Sequence, residues 1–371
     1  MIRKTFKYRI YPTRKQTTIL NCTLSGCQKI YNMFLGERKD SWEKEKKSVS
    51  VYDQINQLPS FKEKFPIYKN IYSMVLQEIA FRVDFAFKGF FRRCKKGEKF
   101  GYPRFKSWDR YNSFTYIKSG FKIMKGVNKV YLSKIGDVRI IYDRPIIGEI
   151  KTCTVKKTLT DKWYVMFSCE IFKPILVKKT KKTIGIDVGL EYFVTLSDGT
   201  HVENPRFFRK EEKILKKAQQ RLSSQKKGTF EWYKKRKVIS RVHERIKNKR
   251  HSFIHQLSRK FVNEFDVIIV EDLNINDMTK DNYRCINKSI GDAAWRMLID
   301  CISYKAEEAG KKLIKVNPAY TSQTCSKCGY REKKPLSDRI HKCSCCGLKL
   351  QRDHNAAINI LTLGTQGLVS A

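Results

Sequence analysis

Three carboxylates that are far apart in the chain stand where acidic side chains can do chemistry. Asp187 ends a short apolar run just before a glycine turn, Glu271 ends the apolar stretch 267–270, and Asp353 precedes an Ala- and Ile-rich segment. The first two patterns predict strand ends, and the third predicts a helix with an acid in its first turn. Acids that converge repel one another unless cations lie among them, and ligands that offer only oxygen favour Mg²⁺ or Mn²⁺ over zinc. We therefore predict that Asp187, Glu271 and Asp353 form a divalent-metal site.

The elements that would carry these acids follow a definite order. Residues 183–200 predict two strands, the second closed by an Asp-Gly hairpin signal. Basic helices, the strand that ends at Glu271, an amphipathic helix over 292–310, a strand over 311–317 and the helix of Asp353 follow. In RNase H-like nucleases, carboxylates from two adjacent strands and a late helix meet at one end of the sheet. The order therefore predicts an RNase H-like α/β nuclease core.

Four cysteines form a second metal pattern. Cys325-x-x-Cys328 and Cys343-x-x-Cys346 are two CxxC pairs with 14 residues between them, and a glycine follows each pair. Each pair can chelate from a tight turn, and two pairs at this separation predict a tetrahedral four-thiolate zinc site of the structural kind. Cys345 is the alternative ligand to Cys346 in principle, but a CxC spacing lacks the geometry of the knuckle.

The charge of the chain indicates its partner. The 371 residues include 77 Lys and Arg against 36 Asp and Glu, a formal net charge of +41. Self-repulsion of this size destabilises a compact fold unless a polyanion is bound, so we expect a nucleic acid. The excess is concentrated in residues 205–250, with 18 basic against 4 acidic residues on two predicted helices. Residues 275–290 are polar and predict a mobile loop.

Composition excludes several other classes of protein. Hydrophobic residues at 41% and aromatic residues at 12% are typical of globular chains and exclude a disordered one. The N-terminus lacks the apolar segment of a signal peptide, and no stretch approaches the 18 apolar residues of a membrane span. CxxC pairs without a signal sequence indicate a reducing compartment. We expect a cytoplasmic protein of bacterial or archaeal origin that does not bind a membrane.

The first half of the chain predicts a different architecture. Residues 1–11 alternate apolar and basic side chains, as in a half-buried strand, and the blocks 13–39 and 70–93 have helical apolar spacing. Short strands separated by turns fill 113–172 and predict a small β-barrel that includes the first strand. The basic and aromatic stretch 101–116 suits base stacking and phosphate contact, or else the plugging of a core.

Together these motifs resemble the TnpB family of transposon-associated nucleases over essentially the whole chain. The stretches that carry the resemblance are FKYRIYPTRKQ, YPRFKS, GIDVGLEYFVTLSDG, the basic helices from NPRFFRKEEK to NKRHSFIHQLS, VEDLNINDM, the DAAW helix, YTSQTCSKCG and RDHNAAINIL. The resemblance implies a multidomain α+β protein with a wedge-like β-barrel, a helical recognition domain, a RuvC-type RNase H-like nuclease domain, and a zinc-ribbon-like, target-nucleic-acid-binding module inserted in it. The implied bounds are 1–11 plus 101–180, 12–100, 181–320 plus 351–371, and 321–350, respectively.

The resemblance also implies an activity, RNA-guided cleavage of DNA. It makes Asp187, Glu271 and Asp353 the catalytic RuvC triad that holds Mg²⁺ (or Mn²⁺). It makes the four cysteines, Cys325, Cys328, Cys343 and Cys346, the ligands of a structural Zn²⁺. The implied partners are a guide RNA from the transposon end and target double-stranded DNA beside a short adjacent motif, bound by a monomer. His354 departs from the motif at a variable position, and we assign it no role.

Three alternatives share parts of this pattern. A miniature type V CRISPR effector would carry every motif above. A catalytically silent guided DNA-binding protein would be expected to lose at least one acid, and this chain keeps all three. A recombining transposase would use similar acids for strand transfer, and joined DNA products would distinguish it.

Overall fold

The computed structural model describes residues 2–171, 179–280, 283–335 and 338–369. The protein is mixed α/β, and its residues divide into two compact units, 1–173 and 174–371. None of the helices in the described ranges has an apolar stretch long enough to cross a bilayer.

The N-terminal unit contains a seven-stranded antiparallel sheet. Its strands are β1 Ile2–Tyr11, β2 Ser113–Ile117, β3 Phe121–Met124, β4 Lys129–Leu132, β5 Gly136–Ile140, β6 Glu149–Lys157 and β7 Trp163–Ile171. Their order is β2-β6-β7-β1-β5-β4-β3, so the first strand of the chain lies in the middle. Phe6, Tyr8 and Ile10 of β1 are buried and Lys7 is exposed. The predicted half-buried strand is confirmed.

This sheet is an open half-barrel in the described ranges, whereas the strand pattern predicts a barrel. The order leaves β2 and β3 at opposite ends of the ladder. Buried residues of the helices between β1 and β2 belong to the same continuous core as those of the strands, Phe34 and Ile79 among them. Helices therefore cover apolar surface that strand closure would otherwise bury.

Four helices and a 3₁₀ turn lie between β1 and β2. They are α1 Arg14–Glu45, α2 Val51–Asn56, α3 Leu58–Lys64, the 3₁₀ turn Pro66–Asn70 and α4 Ser73–Lys95. A capping box of Thr13 and Gln16 starts α1. The guanidinium of Arg82 ties α4 to β2 by donating to Ser113 O at 2.7 Å and Thr115 Oγ1 at 2.9 Å. The two predicted helical blocks match α1 and α4, whereas α2 and α3 are too short to give a periodic stripe.

The C-terminal unit contains a mixed five-stranded sheet. Its strands are β8 Thr183–Asp187, β9 Tyr192–Leu196, β10 His201–Glu203, β11 Val267–Glu271 and β12 Lys312–Val316, in the order β10-β9-β8-β11-β12. β8, β9 and β10 are antiparallel neighbours, and β11 runs parallel to both β8 and β12. The predicted strands that end at Asp187 and Glu271 are confirmed as elements.

Helices pack against this sheet, and a small hairpin lies in the cysteine-rich segment. The helices are α5 Phe207–Ser223, α6 Phe230–Glu264, α7 Ile275–Met278, α8 Arg284–Ala293, α9 Trp295–Glu308 and α10 Arg352–Val369, and the hairpin strands are β13 Ile340–Lys342 and β14 Lys349–Gln351. Buried Lys305 of α9 donates to His255 O and Ser258 Oγ of α6, each at 2.7 Å. These bonds fix α9 along α6.

The segment 275–290 differs from its expectation. A mobile loop is wrong for its described part, because α7 covers 275–278 and α8 begins at Arg284. Ile290 is buried in the core of this unit, so α8 is held by an apolar edge too sparse to stand out among polar residues. The predicted helix 292–310 begins only at Trp295, because Ala294 takes a left-handed φ of 55° that separates α8 from α9.

Candidate functional site

Asp187 and Glu271 leave the same edge of the five-stranded sheet. β8 and β11 are parallel, with Ile186 opposite Val270, so the residues that follow emerge side by side at the carboxyl ends of the two strands. Parallel pairing thus turns two acids that are 84 positions apart in sequence into neighbours. Burial raises the pKa of Asp187 well above its ordinary value, and the negative charges of Glu271 and Asp353 raise it further.

Asp353 reaches this edge because α10 packs directly on β8. Gly185 of β8 makes the close approach possible: a Cβ there would lie 2.3 Å from Ala357 O and 2.7 Å from Leu361 N of the helix. Asp353 is in the first turn of α10, beside the loop that follows Asp187, and a Cβ on Gly189 of that loop would lie 3.6 Å from Asp353 Oδ2. The structure therefore brings the three sequence-predicted acids to one place.

Two charged side chains near the acids, Arg339 and Glu191, shift the pKa of Asp353 in opposite directions. Burial raises the pKa of Asp353, the Arg339 guanidinium opposes that shift, and the Glu191 carboxylate adds to it. Arg339 Nε and Glu191 Oε2 form an ion pair at 3.1 Å. Burial also raises the pKa of Glu271, and the hydroxyl of Thr321 opposes that rise by donating to Glu271 Oε1 at 2.5 Å.

The chemistry of these donors suits a hard divalent cation. The three acids offer only carboxylate oxygens, and their raised pKa values mean that ionised forms are costly until a cation compensates them. The acids are not, however, a compact preformed cage. Among the described residues, the set whose ligand atoms all lie within 4.8 Å of one another is a set of cysteines.

That set is Cys325, Cys328, Cys343 and Cys346. The Sγ atoms of Cys325 and Cys346 are 3.6 Å apart, and those of Cys328 and Cys343 are also 3.6 Å apart. Zn–S bonds of about 2.3 Å in a tetrahedron give sulfur separations of about 3.8 Å, so the spacing fits zinc. Backbone N–H groups of Cys346 and Cys345 lower the pKa of Cys343, which favours its thiolate, whereas burial and neighbouring thiols outweigh the backbone hydrogen bonds at Cys328 and Cys346 and raise the pKa of each, a rise that a bound cation would offset. Cys345, the alternative ligand, lies outside the set.

Backbone turns place these thiols. Gly329 N donates to Cys325 O at 3.0 Å, and Gly347 N donates to Cys343 O at 3.1 Å. Both glycines have a left-handed φ, 75° and 70°, which a side chain would disfavour. The glycines after each CxxC pair therefore close the two knuckles.

The cysteine module is fastened to the helix of Asp353 by two amides. Asn355 donates from Nδ2 to Thr324 O at 2.8 Å and accepts at Oδ1 from Ser326 N at 2.9 Å. Asn359 donates from Nδ2 to Thr321 O at 2.8 Å and to Thr324 O at 2.7 Å. The metal-binding candidates of both sites are thus parts of one hydrogen-bonded arrangement.

The basic helices α5 and α6 pack on one another through Leu215, Val242 and Ile246. Glu211, one of the few acids of this segment, already pairs with two cations, Arg245 at 3.1 Å and Lys249 at 3.3 Å. Internal pairing therefore neutralises only part of the positive charge on these helices, and the remainder suits a polyanion.

Sequence reasoning missed Thr321, Glu191 and Arg339. Thr321 lies within a stretch that supports the resemblance, but a threonine in a polar segment carries no signal of contact with an acid 50 residues earlier. The pair of Glu191 and Arg339 joins a strand turn to the cysteine-rich segment, and its partners cannot be read from spacing.

Models of three protein families match separate parts of the chain. Residues 1–47 match a helix-turn-helix domain, residues 166–282 match a probable transposase (OrfB of IS605), and residues 295–360 match the TNB domain of Cas12f1-like proteins. The second match contains Asp187 and Glu271, and the third contains the four cysteines and Asp353. In this protein the first match is one strand and one long helix, β1 and α1.

Relatives match over nearly the full length. A "Putative RNA-guided DNA endonuclease" of Streptomyces pristinaespiralis is 33% identical over 372 residues, which cover 98% of this chain and 90% of the relative. This chain belongs to the TnpB family of IS605-type transposon proteins. A TnpB relative of Escherichia coli K12, "Putative RNA-guided DNA endonuclease InsQ", is 29% identical over 97% of this chain and 92% of its own length.

Solved structures give the TnpB chain the same fold as two CRISPR nucleases. Cas12f1, solved with sgRNA and target DNA, aligns with a TM-score of 0.62 at 14% identity over 97% of this chain and 98% of that chain. The mini-RNA-guided endonuclease CRISPR-Cas_phi3 aligns with a TM-score of 0.53 at 11% identity, over 98% of this chain and 92% of that chain. At these identities the likeness concerns the fold alone.

Proposed function

We propose that this protein is an RNA-guided DNA endonuclease of the TnpB type. The observation that carries the proposal is the meeting of Asp187, Glu271 and Asp353 at one sheet edge, in a chain whose full-length relatives are named RNA-guided DNA endonucleases. A catalytically silent guided binder would not need three acids whose burial raises their pKa values.

We propose that the C-terminal unit is an RNase H-like, RuvC-type nuclease core interrupted by the cysteine module. The support is the sheet: an antiparallel meander of β10, β9 and β8 continues into parallel β11 and β12, and α10 packs on β8. The bounds 181–320 plus 351–371 for the nuclease domain and 321–350 for the module are part of this proposal. So are the wedge-like domain, 1–11 plus 101–180, and the recognition domain, 12–100.

The proposed reaction is hydrolysis of a DNA phosphodiester bond. Asp187, Glu271 and Asp353 would hold the divalent metal, for which we propose Mg²⁺, with Mn²⁺ as a substitute. When bound, a pair of such ions supplies an activated water and stabilises the leaving 3′-oxygen. The carboxylates orient the site, and their mutual repulsion favours cation binding over the empty state. Their burial keeps the surrounding dielectric low, which strengthens charge interactions there.

We propose that Cys325, Cys328, Cys343 and Cys346 hold a structural Zn²⁺. Thiolates suit zinc and carboxylates suit magnesium, so the two sites separate the metals by ligand softness. The four thiolates would fill all the positions of a tetrahedral zinc and leave none open for substrate.

The proposed partners are a guide RNA from the transposon end and double-stranded target DNA beside a short adjacent motif. Base pairing by the guide reads the sequence, so the protein needs mainly to grip backbones, and a net charge of +41 suits that task. We propose a monomer that acts in the bacterial or archaeal cytoplasm, because its DNA target lies there.

The test begins with the RNA that the protein protects. The protein is expressed with its native flanking DNA and purified, and the nuclease-protected RNA is sequenced and used to program cleavage. A single species from the downstream flank, together with guide-dependent cutting, is the expected result. Repeat-derived RNA would instead assign a miniature type V CRISPR effector. Heterogeneous RNA or none would remove the guide from the account, and joined DNA products would indicate a transposase.

A further inference from the structure

Thr321 makes the hydrogen bond that fixes Glu271. Thr321 is buried, with 5% of its surface exposed, and it lies between β12 and the first cysteine pair. Its hydroxyl donates to Glu271 Oε1 at 2.5 Å, with Pro318 O as a more distant acceptor at 3.2 Å. In the described part of the chain this bond occupies one oxygen of the Glu271 carboxylate and leaves Oε2 for another partner.

The backbone of Thr321 is itself held from α10. Asn359 Nδ2 donates to Thr321 O, and the same amide donates to Thr324 O. Asn355 holds the other end of this tract through Thr324 O and Ser326 N. The segment 321–326 is thus clamped to the helix that carries Asp353, immediately before and within the first cysteine knuckle.

The residue before Thr321 has an unusual backbone conformation. Tyr320 has a left-handed φ of 68°, and the Arg331 guanidinium lies 2.9 Å from the centroid of its ring. A non-glycine residue keeps such a φ only where its surroundings determine it, and such positions cluster at functional sites. The backbone of Arg331 also forms an isolated antiparallel β-bridge with Thr324. Arg331 therefore contacts the segment 320–324 through both its side chain and its backbone.

Carboxylates that ligate metals are usually oriented by a hydrogen bond to their other oxygen, and loss of that partner weakens metal affinity. We propose that Thr321 is a positioning residue that holds Oε1 of Glu271 and so presents Oε2 to the divalent metal, and that Asn355 and Asn359 tie this orientation to the cysteine module. The inference rests on the proposed carboxylate metal site. When bound, zinc would also help to orient Glu271, because the four cysteines that would hold it adjoin the segment 321–326.

The test compares Thr321→Val, which removes the hydroxyl at nearly constant shape, with Thr321→Ser, which keeps it. Thr362→Val is the matched control, because the exposed hydroxyl of Thr362 donates to Ile358 O within α10 and lies outside the segment 321–326. Mn²⁺ is titrated into the zinc-loaded full-length chain without nucleic acid, and bound ion is measured by electron paramagnetic resonance. We expect about 10–100-fold weaker Mn²⁺ binding for Thr321→Val, and near wild-type binding for the other two. Guided cleavage should need correspondingly more metal, with target binding unchanged.

The variant Glu271→Gln distinguishes failure of the proposed metal site from failure of the role proposed for Thr321. Wild-type chain that binds no Mn²⁺, or Glu271→Gln that binds it like wild type, contradicts the carboxylate metal site itself. Weak binding by Glu271→Gln with wild-type binding by Thr321→Val overturns only the role of Thr321. Equal losses in Thr321→Val and Thr321→Ser also overturn it, because the hydroxyl would then not be the cause. If Thr321→Val does not fold, Thr321→Ala gives the same comparison.

Discussion

The two metal-binding candidates of the C-terminal unit are built in opposite ways. The four cysteines lie within 22 residues, and their sulfur atoms converge to within 4.8 Å of one another. The three acids come from two strands and a helix spread over 167 residues. Burial raises the pKa of all three, and the charges of Glu271 and Asp353 raise the pKa of Asp187 further. One site is therefore ready for its ion, and the other needs the ion to offset repulsion.

A metal would contribute differently at each of the two sites. Thiolate sites of this kind supply folding free energy, since the ligands gather only around the ion or in the folded chain. The carboxylate site is assembled by the sheet and by α10, and its unfavourable electrostatics suit exchange and chemistry. Asn355 and Asn359 connect the two, so damage to the first should reach the second.

Removing a thiolate should have the largest effect. We expect Cys325→Ser to lose zinc, melt at a lower temperature and cut poorly, because structural zinc sites bind with about 10–16 kcal/mol. Metal analysis, thermal melting and guided cleavage measure these. Cys345→Ser is the control, since Cys345 lies outside the ligand set. Unchanged zinc content and melting in Cys325→Ser, or equal damage in both variants, would contradict the assignment.

Pushing α10 off the sheet should damage the acid site next. Gly185→Ala places a Cβ against the backbone of α10, so we expect a loss of about 1–3 kcal/mol in stability. Displacing Asp353 by about 1 Å should cost roughly 100-fold in cleavage rate. Gly291→Ala is the control, because a Cβ there meets nothing within 4 Å. If Gly185→Ala cleaves DNA at the wild-type rate, the close packing of α10 on β8 does not position Asp353.

The smallest effect concerns stability without divalent metal at the nuclease site. The pKa of Asp187 is raised above its ordinary 3.8, so the folded chain binds this proton more tightly than the unfolded chain. The contribution of Asp187 to stability is therefore lost as pH rises through the raised pKa. In a buffer free of Mg²⁺ and Mn²⁺ at about pH 8, we expect Asp187→Asn to melt above wild type, by about 2–4 °C for each kcal/mol of charge burial that the substitution removes.

That difference should shrink as the pH falls towards about 4, where both chains carry a neutral group. Adding Mn²⁺ should stabilise wild type and leave Asp187→Asn nearly unchanged. Asp198→Asn, which alters an exposed turn, serves as the control. A lower melting temperature for Asp187→Asn at pH 8 would show that repulsion and burial are not the dominant influences on Asp187.

The sequence predicts the cysteine set well because its geometry is local. Two CxxC pairs, each followed by glycine, determine their knuckles whatever the rest of the chain does. Asp187 and Glu271 are predictable as strand ends because β8 and β11 are short apolar runs, and Asp353 because a helix begins beside it. The predicted strands and the two long helical blocks of the N-terminal unit are predictable for the same reason.

The rest depends on contacts that no pattern shows. The bond between Thr321 and Glu271, and the ion pair of Glu191 and Arg339, require the register of packed elements that are distant in sequence. The few apolar residues of α8 are separated by polar ones, so the sequence pattern of this segment is typical of a loop. The open sheet arises because helices share the core with the strands, and alternation within single strands cannot reveal that.

If Asp187, Glu271 and Asp353 cut DNA that a guide RNA selects, removing one of them should stop cleavage and leave nucleic-acid binding intact. Wild type and Asp187→Ala are loaded with the same protected RNA, and single-turnover cleavage and binding of a matched target are measured with Mg²⁺. Loss of a metal ligand should cost several kcal/mol of transition-state stabilisation. We therefore predict that Asp187→Ala binds RNA and target as wild type does and cuts at least about 1000-fold more slowly. Undiminished cutting by Asp187→Ala would contradict the account.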